Sequence, residues 1–338
     1  MNTNDATTGV DSFERVRALA AAIRQEVGAR VVGQDDAISC LTGALIIGGH
    51  VLLEGAPGLG KTVLAKTLAD AVALKFSRVQ FTPDLMPSDI LGTHMVSVDA
   101  AGRPSLTLQH GPLFANVVLA DEINRASSKT QSALLEAMQE RQITLGGTTY
   151  PLDPPFFVVA TQNPLESEGT YPLPDAQLDR FLMKLVIPFP TQTEMMAIVA
   201  RTARQFDFAV GKVASAAQIL AAGRTLRTLP VAEPMLQHAV ALVFATHPES
   251  PAASAKVKKY VRHGASPRAA QSLELVAKFF AILDGRLHVA VEDLHRAALP
   301  CLRHRIVRNF DAIADGVTAD EIITHLLRSV VPPHAAAR

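Results

Sequence analysis

Residues 55–62 read GAPGLGKT, in which three glycines precede a lysine and a threonine. This spacing matches the pattern G-x-x-x-x-G-K-[ST], whose glycines let backbone amides wrap around a phosphate at the start of a helix. Lys61 would reach the β- and γ-phosphates of a nucleotide, and the Thr62 hydroxyl would ligate Mg²⁺. A flexible glycine turn is the alternative. The predicted nucleotide contacts are Gly55, Ala56, Pro57, Gly58, Leu59, Gly60, Lys61, Thr62 and Val63.

Two further polar groups each follow an apolar run. Asp121 and Glu122 end the stretch LADE, and Asn163 follows the stretch FFVVAT. At the carboxyl edge of a parallel sheet, Asp121 would hold Mg²⁺ through water and Glu122 would orient or polarise an attacking water. Asn163 would hydrogen-bond the γ-phosphate and that water. Taken singly, the acid pair is also typical of a solvated strand end, and the asparagine of a turn.

The bulk composition indicates a globular chain without a general affinity for polyanions. The chain has 338 residues, 48% of them apolar, with 32 Lys+Arg balanced by 32 Asp+Glu. Zero net charge gives no overall attraction to nucleic acid or acidic lipid, although a local basic patch stays possible. No signal peptide and no membrane-spanning run is recognisable, and the two cysteines are not in a CxxC spacing. We therefore expect a cytoplasmic protein with reduced thiols.

Five short apolar runs predict the strands that position these groups. Near-continuous Val, Leu and Phe without polar alternation is typical of strands buried on both faces of a parallel sheet, and helical stretches separate the runs. Residues 93–111 and 141–152 instead alternate apolar and polar positions around a turn, which predicts two inserted β-hairpins. The predicted strands lie at 50–55, 77–82, 116–121, 156–161 and 184–189.

The character of the sequence changes after Pro190. From Thr191 onward the strand signals disappear, and helical stretches are separated by Gly and Pro. We therefore predict an α/β domain over residues 1–190, with an N-terminal helix, and a smaller all-helical domain over residues 191–338.

Long segments of the chain resemble the AAA+ ATPases, and more narrowly the MoxR family in their helix-2-insert branch. The resemblance rests on VVGQDDAI (31–38), GAPGLGKT, FTPDLMPSDILG (81–92), the stretches 111–147 and 156–181, and GASPRAAQSL (264–273). These segments follow the family order and cover nearly the whole chain. The resemblance implies a P-loop AAA+ core, with a parallel five-stranded sheet, helices on both faces and the two hairpins, followed by an all-helical lid.

The same resemblance implies roles for two arginines. Arg180, in AQLDRF, corresponds to an arginine finger presented to the ATP of the next subunit. Its alternative is a surface ion pair with Asp175 or Asp179. Arg268 corresponds to sensor 2, at a helix that Ser266 would cap and Pro267 would begin. Its alternative is a solvated arginine at a helix start, and whether it acts on its own subunit's ATP is left open.

The resemblance also implies the cofactors, the adenine contacts and the partners. Val32 and Gly33 would line the adenine pocket, the ligands would be ATP and Mg²⁺, and Arg125 is a candidate for a subunit junction. The expected assembly is a homo-oligomeric ring, most simply a hexamer, acting with a von Willebrand A domain protein on a client enzyme complex. ATP hydrolysis would drive remodelling, maturation, or insertion of a cofactor or metal.

Two competing functions stay open at this point. A nucleic-acid motor related to helix-2-insert helicases is disfavoured by the neutral charge and by hairpins with few basic or aromatic residues. A monomeric P-loop kinase for small molecules would use the phosphate loop. A kinase of this kind does not explain why Glu122, Asn163, Arg180 and Arg268 occur together.

Overall fold

The computed structural model of the chain describes residues 3–98, 104–163, 171–203 and 209–332. The chain forms two compact units. One, which we call the sheet unit, consists of Ile23–Leu173 and Leu185–Leu220. The other, the helical unit, consists of Met1–Ala22, Pro174–Lys184 and Ala221–Arg338. The boundary that we predict at Pro190 remains a prediction.

A five-stranded sheet forms the centre of the sheet unit and confirms the predicted α/β class. Its strands overlap all five predicted runs, and its order is β2-β5-β8-β1-β9. The pairs β2 with β5, β5 with β8, and β1 with β8 are parallel. All of β5 and all but the last residue of β8 are buried, as the unbroken apolar runs predict. The strands are β1 (Val51–Glu54), β2 (Phe76–Gln80), β5 (Val117–Asp121), β8 (Phe157–Gln162) and β9 (Met183–Val186, whose residues are divided between the two units).

The helices of the sheet unit bury apolar faces with helical spacing. In the helix that follows the phosphate loop, Leu64, Ala65 and Leu68 are fully or almost fully buried, which is the i, i+1, i+4 pattern of one packed face. The helix from Asp35 is buried from Ile38 to its end. The helices are α1 (Thr3–Arg30, which both units share), α2 (Asp35–Ile47), α3 (Lys61–Ala71), α4 (Pro87–Leu91), α5 (Ser128–Glu140) and α7 (Gln192–Ala203).

Both predicted hairpins are confirmed, and they contact each other. The first pairs β3 (Gly92–Val98) with β4 (Pro104–His110), and the second pairs β6 (Gln142–Leu145) with β7 (Thr148–Pro151). The turn of the first hairpin, including Arg103, lies outside the described residues. The His94 Nε2 atom lies 3.2 Å from the Tyr150 hydroxyl, so a side-chain hydrogen bond joins the two inserts.

The helical unit contains most of the helices predicted after Pro190, and one short ribbon that the sequence pattern does not predict. Val261–His263 and Val307–Arg308 pair as antiparallel strands β10 and β11. These segments are too short for an alternation of apolar and polar residues to be recognisable. The helices are α6 (Asp175–Leu178), α8 (Ala216–Arg227, partly in the sheet unit), α9 (Glu233–Phe244), α10 (Ala255–Tyr260), α11 (Pro267–Leu283), α12 (Val291–Leu302), α13 (Phe310–Ala314) and α14 (Ala319–Ser329).

A buried histidine fastens β8 to the end of α5. His50 Nδ1 accepts the backbone N–H of Val158 at 3.0 Å, and its Nε2 donates to the Met138 carbonyl at 3.0 Å. Burial lowers the pKa of His50 from 6.5 to about 4, because the charged ring would lose its hydration. The neutral imidazole is therefore the form that stabilises the fold.

We expect His50→Leu to lower the free energy of unfolding by about 1–3 kcal/mol at pH 7.5, because two buried backbone groups lose their partner. In the unfolded wild type His50 is protonated below about pH 6.5, whereas in the folded protein it is protonated only below about pH 4. The stabilisation that neutral His50 gives the folded protein is therefore lost as the pH falls. The difference in unfolding free energy between the wild type and His50→Leu should be about 1.4 kcal/mol smaller at pH 5.5 than at pH 7.5. Denaturant unfolding at both pH values measures it, and parallel pH dependences would contradict the assignment.

Candidate active site

The phosphate loop leaves β1 and ends where α3 begins at Lys61. Gly58 and Gly60 have φ angles of +80° and +76°, a backbone region that other residues rarely adopt. The first N–H groups of a helix have no partner within the helix, so this end of α3 favours an anion. The loop conformation therefore fits a bound phosphate.

Lys61 lies folded over the loop that precedes it. Its Nζ donates to the Gly55 carbonyl at 2.6 Å and to the Ala56 carbonyl at 3.0 Å. These carbonyls hold the ammonium group at the loop, within the segment where the pattern predicts phosphate oxygens. The lysine can exchange neutral carbonyl acceptors for charged phosphate oxygens, which form stronger hydrogen bonds.

The segment that contains Val32 and Gly33 is tied to the phosphate loop. Gln34 Nε2 donates to the Leu59 carbonyl at 2.9 Å. Gly33 has a φ of +73°, and a Cβ at this position would overlap the Glu194 side chain. The sequence motif predicts a role for the glycine, whereas the hydrogen bond from Gln34 is a contact that it does not predict.

Asp121 ends β5 with both carboxylate oxygens hydrogen-bonded. The Thr161 hydroxyl donates to Oδ1 at 2.6 Å, and Arg78 donates to Oδ2 from Nε at 3.1 Å and from Nη2 at 2.7 Å. Arg78 lies on β2 and Thr161 on β8, the two neighbours of β5. The sheet therefore orients the aspartate from both sides.

Glu122 has a strained backbone and a side chain held by Arg125. Its φ and ψ are 57° and 49°, a left-handed conformation that costs free energy in a residue with a Cβ and is frequent at functional sites. Its N–H donates to the Thr161 hydroxyl at 2.9 Å, and its Oε2 accepts from Arg125 Nη1 at 3.0 Å. Thr161 thus contacts both acids, one through the side chain and the other through the backbone.

The predicted residues of the sheet unit meet at one edge of the sheet. The register pairs Glu54 of β1 with Gln162 of β8, and Ala120 of β5 with Ala160 of β8. The phosphate loop follows β1, Asn163 follows β8 and Asp121 ends β5, so all three lie at the carboxyl ends of adjacent strands. Asn163 is 6% exposed. This is the edge at which ligands bind in open parallel sheets.

The two remaining predicted residues, Arg180 and Arg268, belong to the helical unit. Arg180 is half-buried in the turn after α6, and Arg268 is exposed in the first turn of α11. The predicted cap is confirmed, because Ser266 Oγ accepts the N–H of Arg268 at 3.2 Å and Pro267 begins the helix. Arg268 Nη1 forms an ion pair with Asp179 Oδ2 at 3.4 Å.

The oxygen donors of the site suit magnesium. Mg²⁺ prefers hydroxyl, carboxylate and water oxygens, which Thr62 and Asp121 offer. The acids also have partners that the sequence motifs do not predict, above all Thr161 and Arg78. The sequence shows that FFVVATQ ends in polar residues, among them Thr161. That Thr161 contacts Asp121 depends on the register between the two strands.

Comparisons with known proteins agree with this arrangement. A family model described as the ATPase family associated with various cellular activities (AAA) matches residues 50–183, and an AAA lid domain model matches residues 253–326. The chain is 42% identical over 318 residues to Chaperone MoxR1 of Mycobacterium tuberculosis, covering 92% of this chain and 82% of that protein. It is 31% identical to Protein MoxR of Methylorubrum extorquens, covering 86% and 88%. The chain belongs to the MoxR family of AAA+ ATPases.

A solved structure of similar sequence has the same fold as this MoxR-family chain. A crystal structure from Cytophaga hutchinsonii superimposes with a TM-score of 0.90 at 41% identity, covering 97% of this chain and 98% of that one. Within the described part of the MoxR-family chain, no helix is both long and apolar enough to span a bilayer.

We expect Thr161→Val to loosen the positions of Asp121 and Glu122, although neither acid is itself substituted. The substitution keeps the shape of the side chain but removes the hydroxyl shared by Asp121 and Glu122, and should cost about 1–3 kcal/mol of unfolding free energy. ATP turnover should fall with it. Thr161→Ser is the matched control, since it keeps the hydroxyl. Calorimetric unfolding and phosphate release measure the two effects, and equal behaviour of the valine and serine variants would remove the hydroxyl from this role.

Proposed function

We propose that this chain hydrolyses ATP with Mg²⁺ at the carboxyl edge of its sheet. The observation that carries the proposal is the convergence there of the phosphate loop, the acid pair and Asn163, with Thr161 hydrogen-bonded to both acids. A simple glycine turn followed by a solvated strand end would not require a buried Asp121, nor one hydroxyl that contacts both acids. The monomeric kinase alternative receives no separate support from the described residues.

The proposed roles follow from the chemistry of each group. Lys61 binds the β- and γ-phosphates, and Thr62 and Asp121 hold Mg²⁺, which supplies charge neutralisation when bound. Glu122 orients the attacking water and accepts its proton, while Asn163 hydrogen-bonds the γ-phosphate and that water. Val32 and Gly33 contact the adenine. Arg125 holds the Oε2 atom of Glu122, and the carboxylate can leave this ion pair to turn toward a water. That pair is 43% and 26% exposed, so its loss costs little.

We further propose that the active form is a ring in which Arg180 completes the site of the next subunit. A guanidinium delivered across a junction stabilises the charge that gathers on the transferring phosphoryl group, an effect worth about 10³–10⁵ in rate. Arg268, in the first turn of α11, contacts the phosphates of the bound nucleotide and so couples the nucleotide state to the position of the helical lid. Six subunits are the simplest expectation for such a ring.

The work done by hydrolysis is proposed to be the remodelling of a partner protein. One relative carries the name Chaperone MoxR1, which supports a chaperone-like role. The described part of the first hairpin exposes Met95 and Val96, which are 51% and 69% exposed and suit an apolar client surface. A von Willebrand A domain protein and an enzyme complex that is matured or loaded with a cofactor or metal are the proposed partners. A nucleic-acid motor remains the alternative, and DNA-stimulated turnover with a steep salt dependence would favour it.

Glu122→Gln should bind ATP as tightly as the wild type but hydrolyse it about 100-fold or more slowly, because an amide cannot accept the proton of water. Nucleotide binding by calorimetry and turnover by phosphate release separate the two effects. Glu136→Gln, at an exposed position of α5, is the matched control. Unimpaired hydrolysis by Glu122→Gln would remove that residue from the water-activating role.

Mixing Lys61→Ala subunits with Arg180→Ala subunits should restore part of the turnover that each variant lacks alone. A mixed ring contains junctions at which an intact phosphate loop faces an intact Arg180, whereas neither pure ring does. Turnover is measured after the two proteins are mixed and the mixed assembly is isolated through a tag on one variant. Verified mixed rings without any recovery would contradict the action of Arg180 across a junction.

A further inference from the structure

The turn that carries Arg180 is held by a second arginine, far away in the sequence. We propose that Asp179 and Arg305 are positioning residues, which fix the backbone on both sides of Arg180 and so aim its guanidinium. The inference rests on the proposed function of Arg180 and adds the parts of the chain that place it.

Arg305 is a buried cation that contacts the turn at several points. Its side chain is 2% exposed, and its Nε donates to Asp179 Oδ1 at 2.8 Å. Its Nη2 donates to the Asp179 carbonyl at 3.2 Å and to the Phe181 carbonyl at 2.7 Å, and its Nη1 donates to the Leu182 carbonyl at 3.3 Å. The residues directly before and after Arg180 are therefore bound by one rigid, planar group.

Local hydrogen bonds form the turn, among them Arg180 N–H to the Gln177 carbonyl at 3.2 Å and Phe181 N–H to the Leu178 carbonyl at 3.1 Å, but bonds of this kind over so short a segment do not make it rigid. The helix before it, α6, has four residues, too few to be stable by themselves. His304 Nε2 adds a hydrogen bond to the Phe181 carbonyl at 3.1 Å, and Arg305 Nη1 also binds the Cys301 carbonyl of α12. These contacts anchor the turn to the end of α12.

Asp179 supplies the charge that the buried guanidinium requires, and it also binds the start of α11. Ser266 Oγ donates to its two oxygens at 2.8 and 2.9 Å, and Arg268 Nη1 lies 3.4 Å from Oδ2. One carboxylate therefore joins the turn of Arg180 to the helix that carries Arg268. A movement of α11 that followed nucleotide binding would be transmitted to Arg180 through this side chain.

Two substitutions test the positioning role. Asp179→Asn keeps the shape of the side chain but removes the charge shared by Arg305 and Arg268, and Arg305→Lys keeps the charge but loses the fork that spans the turn. Each should lower ATP turnover between about tenfold and about 100-fold, the cost of misplacing a catalytic group. ATP affinity should change less than about twofold, because the phosphate loop is untouched. Asp320→Asn, which removes the charge from another Arg–Asp pair of the helical unit, should keep its turnover.

Mixed rings separate a positioning role from a general structural one. If Asp179 acts through Arg180, Asp179→Asn subunits should recover turnover with Lys61→Ala subunits and should fail to recover it with Arg180→Ala subunits. Recovery with both partners, or with neither, would overturn the inference. If Asp179→Asn melts well below the wild type, Arg305→Lys is judged by the same two mixtures.

The reference mixture of Lys61→Ala with Arg180→Ala distinguishes this inference from the proposed function. If the mixture of Lys61→Ala with Arg180→Ala shows no recovery of turnover, Arg180 does not act across a junction. The proposed role of Arg180 and the positioning role of Asp179 and Arg305 would then both be wrong. Recovery there, with full turnover by Asp179→Asn and Arg305→Lys, would overturn the positioning role alone.

Discussion

The parallel register between β5 and β8 is the constraint on which the candidate site depends. It sets Thr161 beside the end of β5, where a single hydroxyl donates to Asp121 and accepts from the backbone of Glu122. Asp121 is 7% exposed, and a buried carboxylate is costly unless its oxygens are hydrogen-bonded, so the partners on the neighbouring strands are needed to hold it in place. A shift of one residue in the register would turn the hydroxyl to the other face of the sheet.

Arginines complete the charge balance of the acid pair in two different ways. Arg78 binds Asp121 through two nitrogens from the neighbouring strand, whose position the sheet fixes. Arg125 binds Glu122 from only three residues away, through a more exposed and more easily broken contact. The acid proposed to hold the metal is thus rigidly oriented, whereas the acid proposed to act on water can be released. The two contacts differ in rigidity because Arg78 lies on a strand of the sheet, whereas Arg125 lies in the short turn that follows β5.

The sequence predicts most of the fold because its signals are local. Buried strands are visible as apolar runs, hairpins as alternation, and the start of α11 as a serine followed by proline. The partners of the acids are not visible in this way, since Arg78 and Thr161 are 43 and 40 positions from Asp121 and meet it only through strand order. The ribbon of β10 and β11 escapes prediction for the opposite reason, because segments this short have no periodicity. Motifs therefore identify the candidate residues of the site, and the order of the strands determines which side chains hold them.

The turn of Arg180 illustrates why an arginine motif alone does not define a finger. A guanidinium lowers a barrier only if it lies in place before charge develops, since a flexible one must be ordered during the reaction. Burying Arg305 is costly unless it is paired and hydrogen-bonded, and Asp179 with the surrounding carbonyls meets that need. The partners of Arg305 lie 123 to 126 positions earlier in the chain, apart from Cys301. The rigidity of this turn is therefore a property of the folded helical unit, and it would be lost in an isolated segment around Arg180.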